Sequence, residues 1–348
     1  MITIPAPMDA HVHFRQGNLL VNTVRFHWMF DNAIAMPNTL PPITTGPEAV
    51  KYKQEIESHR TSKLTVWPFI KLLSSTSPQI IDEAAHCGVL GAKLYPQGMT
   101  TNSEDGIPIE MLNNVTEGAM RSILGTMQEV GMVLSIHGEW PGFCLDREGA
   151  FIRVLVNIAK AYPKLKIVLE HITEAATTFI VEKYPNVAAT ITLHHLCSTL
   201  DDVIGDKICP HNFCKPIPKR YSDMARLREV VMSQHPRFFF GSDSAPHLKE
   251  NKESSCGCAG CFTAPLLLPG LAHTLTDFDN GWIQPTSKLE KVLTTFTSTN
   301  AMAWYGIKPS GATVSLVEEE WTVPTEIDPM FTVLVPWWSG KKLKWRIK

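Results

Sequence analysis

Met8-Asp9-Ala10-His11-Val12-His13-Phe14-Arg15 reads as a short buried strand that ends in two histidines and an arginine. Alternate residues of an extended strand point the same way, so His11 and His13 project to one face and can hold one metal ion together. Imidazole is the commonest metal ligand, but two histidines leave a zinc site incomplete, and taken alone they are equally well read as ordinary loop residues. The remainder of the chain has to decide between the two.

Working outward, apolar strand-like runs alternate with helical patterns. The runs recur at 32–36, 63–69, 89–94, 132–137, 166–171, 187–193 and 237–243, with helical stretches at 47–60, 78–87, 117–130, 147–161, 174–184 and 221–234. About eight strands separated by helices, without a break in composition, predict an α/β chain folded as one (β/α)8 TIM barrel. Arg15, Asn38, Lys93, His137, His171, His195 and Asp243 all fall at or just past the C-terminal ends of strands, the face on which barrel enzymes build their sites. Polar residues kept for packing would not gather at one end. The expected domain spans 1–348, with a core over roughly 5–305 and a C-terminal extension over roughly 306–348 packing outside the barrel. A terminal helix is expected at 288–305, and a hairpin pairing 332–338 with 342–347 around Ser339-Gly340.

Composition narrows the function. With 348 residues, 44% hydrophobic and 19% charged, the chain is globular and can bury a large core. A net charge of -2 and a pI near 6.7 give no basic excess for nucleic acid or an anionic membrane, so a small-molecule substrate is expected. Eight cysteines in a chain of this length, without a charged-then-apolar leader, suit a reducing cytoplasm better than a disulfide framework. No apolar run approaches the roughly 20 residues that span a bilayer.

His11, His13, His137, His171 and Asp243 supply four imidazoles and a carboxylate at one barrel mouth, a donor set suited to zinc or a similar divalent metal. Lys93 complicates the count, because an ammonium has no lone pair and repels a cation. One reading is a barrel lysine paired with Glu139 or Asp243. The other is that burial beside metal lowers its pKa, the neutral amine takes up carbon dioxide, and the carbamate bridges two ions.

These residues sit in motifs that resemble a known family. His11-Val12-His13-Phe14-Arg15, Met36-Pro37-Asn38-Thr39, Gly91-Ala92-Lys93-Leu94-Tyr95-Pro96, Ser135-Ile136-His137-Gly138-Glu139, Leu169-Glu170-His171, Leu193-His194-His195-Leu196 and Gly241-Ser242-Asp243-Ser244-Ala245-Pro246-His247, followed by Cys256-Gly257-Cys258-Ala259-Gly260-Cys261, resemble dihydroorotase of the short single-function (type II) class within the amidohydrolase superfamily. The resemblance spans nearly the whole chain with the motifs in family order. It implies two Zn2+ per subunit, bridged by carboxylated Lys93 (N6-carboxylysine) and a hydroxide. The first ion is then held by His11, His13, Asp243 and Lys93, the second by Lys93, His137 and His171. The implied reaction is the reversible cyclisation of N-carbamoyl-L-aspartate to L-dihydroorotate in de novo pyrimidine (UMP) biosynthesis, with the hydroxide as nucleophile and Asp243 as general acid/base. Arg15, Asn38 and His247 would bind the substrate carboxylate, the backbone at Ala259 and Lys215 the pyrimidine edge, and Thr100 and Thr101 of the loop 98–103 would close over it. A homodimer is implied as well. Bacterial relatives carry an apolar residue where this chain has Lys215, so any side-chain role there is a departure.

Three readings compete with parts of this. Another cyclic amidohydrolase, a hydantoinase or allantoinase, would share the metals and differ in the pocket, and a catalytically inactive barrel scaffold would have lost ligands that are all present here. Cys256-x-Cys258-x-x-Cys261 invites a further metal site, but without a fourth donor in view it is read as structural loop chemistry. His194 and His195 are left outside the metal shell. The loop 98–103 is polar and aperiodic, so few buried contacts and a mobile lid are expected.

Overall fold

A computed structural model describes residues 1–276, 286–328 and 332–348. The chain opens on β1 (Ile2–Pro5) and then lays down the barrel: β2 (Met8–Val12), β3 (Asn32–Ala35), β4 (Thr65–Pro68), β5 (Ile70–Lys71), β6 (Gly91–Leu94), β7 (Val133–Ile136), β8 (Ile167–Leu169), β9 (Val187–Ile191) and β10 (Phe238–Phe240). Neighbours pair in parallel and in chain order, as β2-β3-β4 and as β5 through β10. β4 and β5 are two halves of one stave, because the Phe69 N–H between them still donates to the Ala35 carbonyl at 3.0 Å. That makes eight staves. The ring closes between β10 and β2, where the Asp243 N–H donates to the His11 carbonyl (2.8 Å) and the His13 N–H to the Ser244 carbonyl (3.1 Å).

Parallel strands covered by helices are buried on both faces, which is why they read as continuous apolar runs rather than alternating ones. The helices between them obey local rules. Gly46–Ser58 starts on a capping box, with the Glu48 N–H donating to Thr45 Oγ1 and the Glu48 carboxylate accepting from the Thr45 N–H, and Pro47 occupies its first turn. Gly118–Val130 stops at Gly131, whose φ of 76° is the left-handed turn that glycine adopts at least cost.

The end of the chain departs from expectation. The segment 332–338 makes only an isolated bridge, Leu334 to Ile327, and buries Trp337, on which the half-buried ring of Trp338 stacks. The partner of β12 (Lys342–Ile347) is instead the antiparallel β11 (Thr313–Thr322), which also pairs with β1. Glu318, Glu319 and Glu320 hide β11 from a periodicity reading by breaking its alternation. In the sheet Glu319 pairs with Arg346 (2.7 Å) and Glu320 with Lys342 (2.9 Å) across the strands. Ile2, Ile4, Leu316 and Trp345 belong to the same hydrophobic cluster as the barrel helices, so the N-terminal strand and the C-terminal strands form one appended sheet. The helix over 288–305 carries a π-turn at Thr295–Thr299. Among the described residues no helix is long and apolar enough to cross a membrane.

One buried carboxylate ties the seam together. Asp9 accepts from the His11 N–H (3.1 Å) and the Ser242 N–H (2.8 Å), and its other oxygen lies 3.0 Å from His27 Nε2. Asp9→Ala leaves these groups unsatisfied at once, and it should lower the unfolding free energy by about 3 kcal/mol. Denaturant titration followed by circular dichroism checks this; an unchanged midpoint would show that the seam does not depend on Asp9.

Candidate active site

His11 and His13 leave β2 on the same face, with their Nε2 atoms 3.4 Å apart. Asp243 meets them from the end of β10, its Oδ1 lying 3.4 Å from His11 Nε2 and 3.1 Å from His13 Nε2. Gly241 makes this approach possible, since a Cβ there would stand 2.9 Å from the Cβ of His11. From the opposite wall come His137 and His171, with Nδ1 of the first 3.3 Å from Nε2 of the second, and Lys93 rises from β6 between the two groups.

The backbone is bent to achieve this. Arg15, His171 and Asp243 have φ of 64°, 41° and 42°, a left-handed conformation that costs a non-glycine residue about 1–3 kcal/mol and collects at functional sites. At His171 it has a direct consequence. Glu170 and His171 are neighbours and would face opposite ways in a strand, yet both turn to the site. Glu170 Oε2 lies 2.9 Å from His11 Nδ1 and accepts from Thr190 Oγ1, while Oε1 accepts from Ser135 Oγ. Glu139 in the same way holds His137, its Oε2 lying 2.7 Å from Nε2. Neither carboxylate was singled out from the sequence as a site residue. The only signal was an acidic residue at each of two strand ends, and periodicity places Glu170 on the wrong face.

Burial sets the charges. It drags His171 well below the usual imidazole range and draws His13 down to about 4. Burial alone would raise Asp243, but its hydrogen bonds with His11 and His13 outweigh that and hold it well below the carboxylate range. Lys93 is drawn down to about 8 by burial, against the pull of Glu170 and Asp243. Its Nζ is buried and has no hydrogen-bond partner among the described residues, so the competing reading, a pairing with Glu139 or Asp243, is not formed. His171 Nδ1 is likewise unpartnered. His137 is lowered by burial too, whereas at His11 burial is outweighed by the pull of Glu170 and the bond to Asp243, which raise it. Four imidazoles, an ionised carboxylate and a lysine amine whose pKa is lowered are a donor set for a divalent cation. The donor atoms of His11, His13 and Asp243 all lie within 4.8 Å of one another.

A single cleft lies above these groups, lined by His11, His13, His137, His171 and Asp243, by Arg15, Asn38, Thr100, Thr101, Lys215 and Ala259, and by Tyr95, Ala245 and Gly260, which sequence reasoning had not picked out. His247 stands behind Arg15, its Nε2 lying 3.1 Å from Arg15 Nη2 and 3.0 Å from the Ala259 carbonyl. The cleft is narrow, with a free volume of about 20 Å³, and Thr100 and Thr101 of the loop 98–103 form part of its wall. That loop is more anchored than its polarity suggests. Ser103 is fully buried, its hydroxyl accepting from the Thr100 N–H (2.9 Å) and donating to the Thr100 carbonyl (2.6 Å). The buried Lys71 donates to the Asn102 carbonyl at 2.7 Å and pairs with Asp105.

The cysteine run is built around an ammonium. Lys252 donates to the carbonyls of Phe213 (3.0 Å), Cys258 (2.7 Å) and Gly260 (2.8 Å), while Cys256 is exposed, Cys258 half-buried and Cys261 buried.

No family model matches the chain. Curated relatives do. The dihydroorotase of Helicobacter hepaticus is 40% identical over 344 residues, covering 98% of this chain and 96% of that protein. The dihydroorotase of Shewanella woodyi is 41% identical over 356 residues, covering 100% and 99%. Among solved structures, the dihydroorotase of Campylobacter jejuni superposes with a TM-score of 0.87 at 34% identity, over 100% of this chain and 97% of that one. The Saccharomyces cerevisiae dihydroorotase, solved in complex with 5-fluoroorotic acid, gives 0.89 at 32% identity, over 100% and 99%. The L-hydantoinase (dihydropyrimidinase) of Arthrobacter aurescens gives 0.79 at 16% identity, over 99% and 82%, and so shares the fold alone. Matched from end to end by enzymes of one activity in sequence and in fold, the chain belongs to the dihydroorotase family.

Proposed function

We propose that this enzyme cyclises N-carbamoyl-L-aspartate to L-dihydroorotate, and reopens the ring in reverse, as a zinc-dependent step of pyrimidine synthesis. The observation that carries the proposal is the convergence of His11, His13, Lys93, His137, His171 and Asp243 beneath a cleft that also holds Arg15 and Asn38, in a chain of this family.

The residues fit a pair of metal ions. An amine buried without an acceptor is costly to leave as it is, and this is resolved if Lys93 carries a carbamate, while His137 Nδ1 and His171 Nε2, 3.3 Å apart, are the imidazole atoms turned toward each other. In this reading His11, His13, Asp243 and carboxylated Lys93 hold one zinc, and Lys93, His137 and His171 the other. When bound, the ions supply a water acidified to near neutral pH and polarise the amide carbonyl.

The protein's own groups do the rest. Glu170 fixes the ring of His11 and Glu139 that of His137, so neither imidazole can rotate away from its task. Asp243 holds the proton set free as the ring amide is attacked and delivers it to the departing ring nitrogen; in the biosynthetic direction it takes that proton back from the ureido nitrogen. Arg15 offers a planar fork to the substrate carboxylate, with Asn38 and His247 beside it, and the backbone at Lys215 and Ala259 borders the ring edge. Thr100 and Thr101 close the cleft from above. We further propose that residues 1–348 act as one unit, a reading supported by the shared hydrophobic cluster, and that the enzyme is a cytoplasmic homodimer without nucleic-acid or membrane partners.

Two sets of variants test the assignment. Zinc-loaded protein should interconvert the two substrates. Asp243→Ala should lose roughly 10²–10⁴-fold in kcat with little change in KM, because the proton shuttle acts in the transition state. Arg15→Lys should raise KM about tenfold or more through loss of the fork. Indistinguishable kinetics for the two would contradict this division of roles. The double variant Thr100→Val with Thr101→Val should cut turnover by roughly one to three orders of magnitude while leaving zinc content and Tm nearly unchanged. Wild-type turnover there would reduce the loop to a steric cover.

A further inference from the structure

A second cluster of donors lies outside the set just described. His194 and His195 follow β9, and their rings pack at 4.3 Å between centroids, while Cys214 approaches from the segment before Pro216. All three residues are buried, and their donor atoms lie within 4.8 Å of one another. His194 is the telling member. It is 1% exposed, and neither of its ring nitrogens has a hydrogen-bond partner among the described residues. An imidazole with two orphaned nitrogens in a closed interior needs a partner that the chain does not provide.

His195 is already arranged as a ligand. Its Nδ1 lies 3.0 Å from Thr192 Oγ1, which fixes the ring, and its Nε2 points at Cys214 Sγ (3.4 Å) and the Pro216 carbonyl (3.1 Å). A metal-binding histidine likewise has one nitrogen oriented by a neighbour, and here the other, now bonded to the Pro216 carbonyl, faces the Cys214 sulfur. The Cys261 thiol is a neighbour of Cys214 but lies outside this 4.8 Å set, and a turn of its side chain would bring it in as a fourth donor.

We propose that His194, His195 and Cys214, completed by Cys261, form a closed structural site for Zn2+ or a similar thiophilic divalent cation, distinct from the centre at His11 and Asp243. Two nitrogens and two sulfurs are a tetrahedral set with no open position, the mark of a structural rather than a catalytic zinc. Binding releases the thiol protons to solvent, while the one proton of the neutral His195 imidazole moves from Nε2 to Nδ1, which then donates to Thr192 Oγ1. It also removes two hydrogen bonds to the Pro216 carbonyl, from His195 and from Cys214, a small loss beside the affinity of a structural zinc. Such an ion would staple the end of β9 to the Cys214 segment and to the cysteine run. Lys215, Ala259 and Gly260 border the cleft from those same two segments, so the staple would hold that wall of the pocket. Cys256, exposed, and Cys258, half-buried, with sulfurs 3.7 Å apart, take no part.

The full-length protein, freed of metal and titrated with Co2+, distinguishes this site from the proposed catalytic centre. Only a thiolate ligand gives the sulfur-to-cobalt charge-transfer absorption, and the set at His11 and Asp243 contains no sulfur. Wild-type protein should develop that band and bind one more equivalent of cobalt than Cys214→Ser, whatever the occupancy of the catalytic centre. His194→Asn breaks no hydrogen bond within the chain, so it should fold normally and bind the sulfur-linked cobalt at least tenfold more weakly, which keeps the test open if Cys214→Ser does not fold. The double variant Cys256→Ser with Cys258→Ser should keep the band. Absence of the band in saturated wild-type protein, full affinity in His194→Asn, or a band lost only with Cys256 and Cys258, meaning an adventitious ion only, would overturn the site.

Discussion

A lysine amine buried among four imidazoles and a carboxylate, with no acceptor in reach, is the constraint on which this end of the barrel depends. Burial has already drawn the Lys93 amine down to about 8, and Glu170 and Asp243 are the anions that keep it from falling further. Each of those carboxylates is committed elsewhere as well, Glu170 to His11, Ser135 and Thr190, and Asp243 to both histidines of β2. Charge is therefore shared out among the buried groups, an arrangement that suits the proposed exchange of the Lys93 ammonium for an anion. A lysine kept only for packing would have found an acceptor or reached solvent.

The architecture around it serves that arrangement. The barrel closes where the Asp243 N–H meets the His11 carbonyl, so the bond that seals the ring also sets the spacing of two proposed ligands. Asp9 secures the same seam from below. The left-handed turns at Arg15, His171 and Asp243 are local costs met by the surrounding strands, and they bring side chains inward that an ideal strand would direct outward.

How much of this could be read beforehand follows from what periodicity reports. The eight staves were legible because each is an apolar run bounded by helix signals, and the polar residues at their C-terminal ends marked the mouth. Glu170 was not, because alternation assigns it to the face opposite His171 and only a positive φ reverses that. β11 was obscured by Glu318, Glu319 and Glu320, whose partners on β12 are visible only once the strands are paired. Polarity alone suggested a loosely held loop at 98–103. The tethers, from Lys71 to Asn102 and within Ser103 and Thr100, come from residues whose partners lie across the fold or need the turn in place. The cysteine run drew attention for its spacing, whereas its folded form is organised by the Lys252 ammonium, and Cys214 meets His194 and His195 only in three dimensions.

The central claim is that Lys93 acts as an anion. It is tested most directly by ¹³C NMR of zinc-loaded protein equilibrated with ¹³C-labelled bicarbonate, alongside metal analysis. The account predicts one carbamate resonance that is absent from Lys93→Ala, with that variant losing zinc and turnover together and recovering part of both when short carboxylic acids are added. A fully active, zinc-loaded enzyme without a carbamate signal, or a Lys93→Ala variant as active as the wild type without additive, would contradict it.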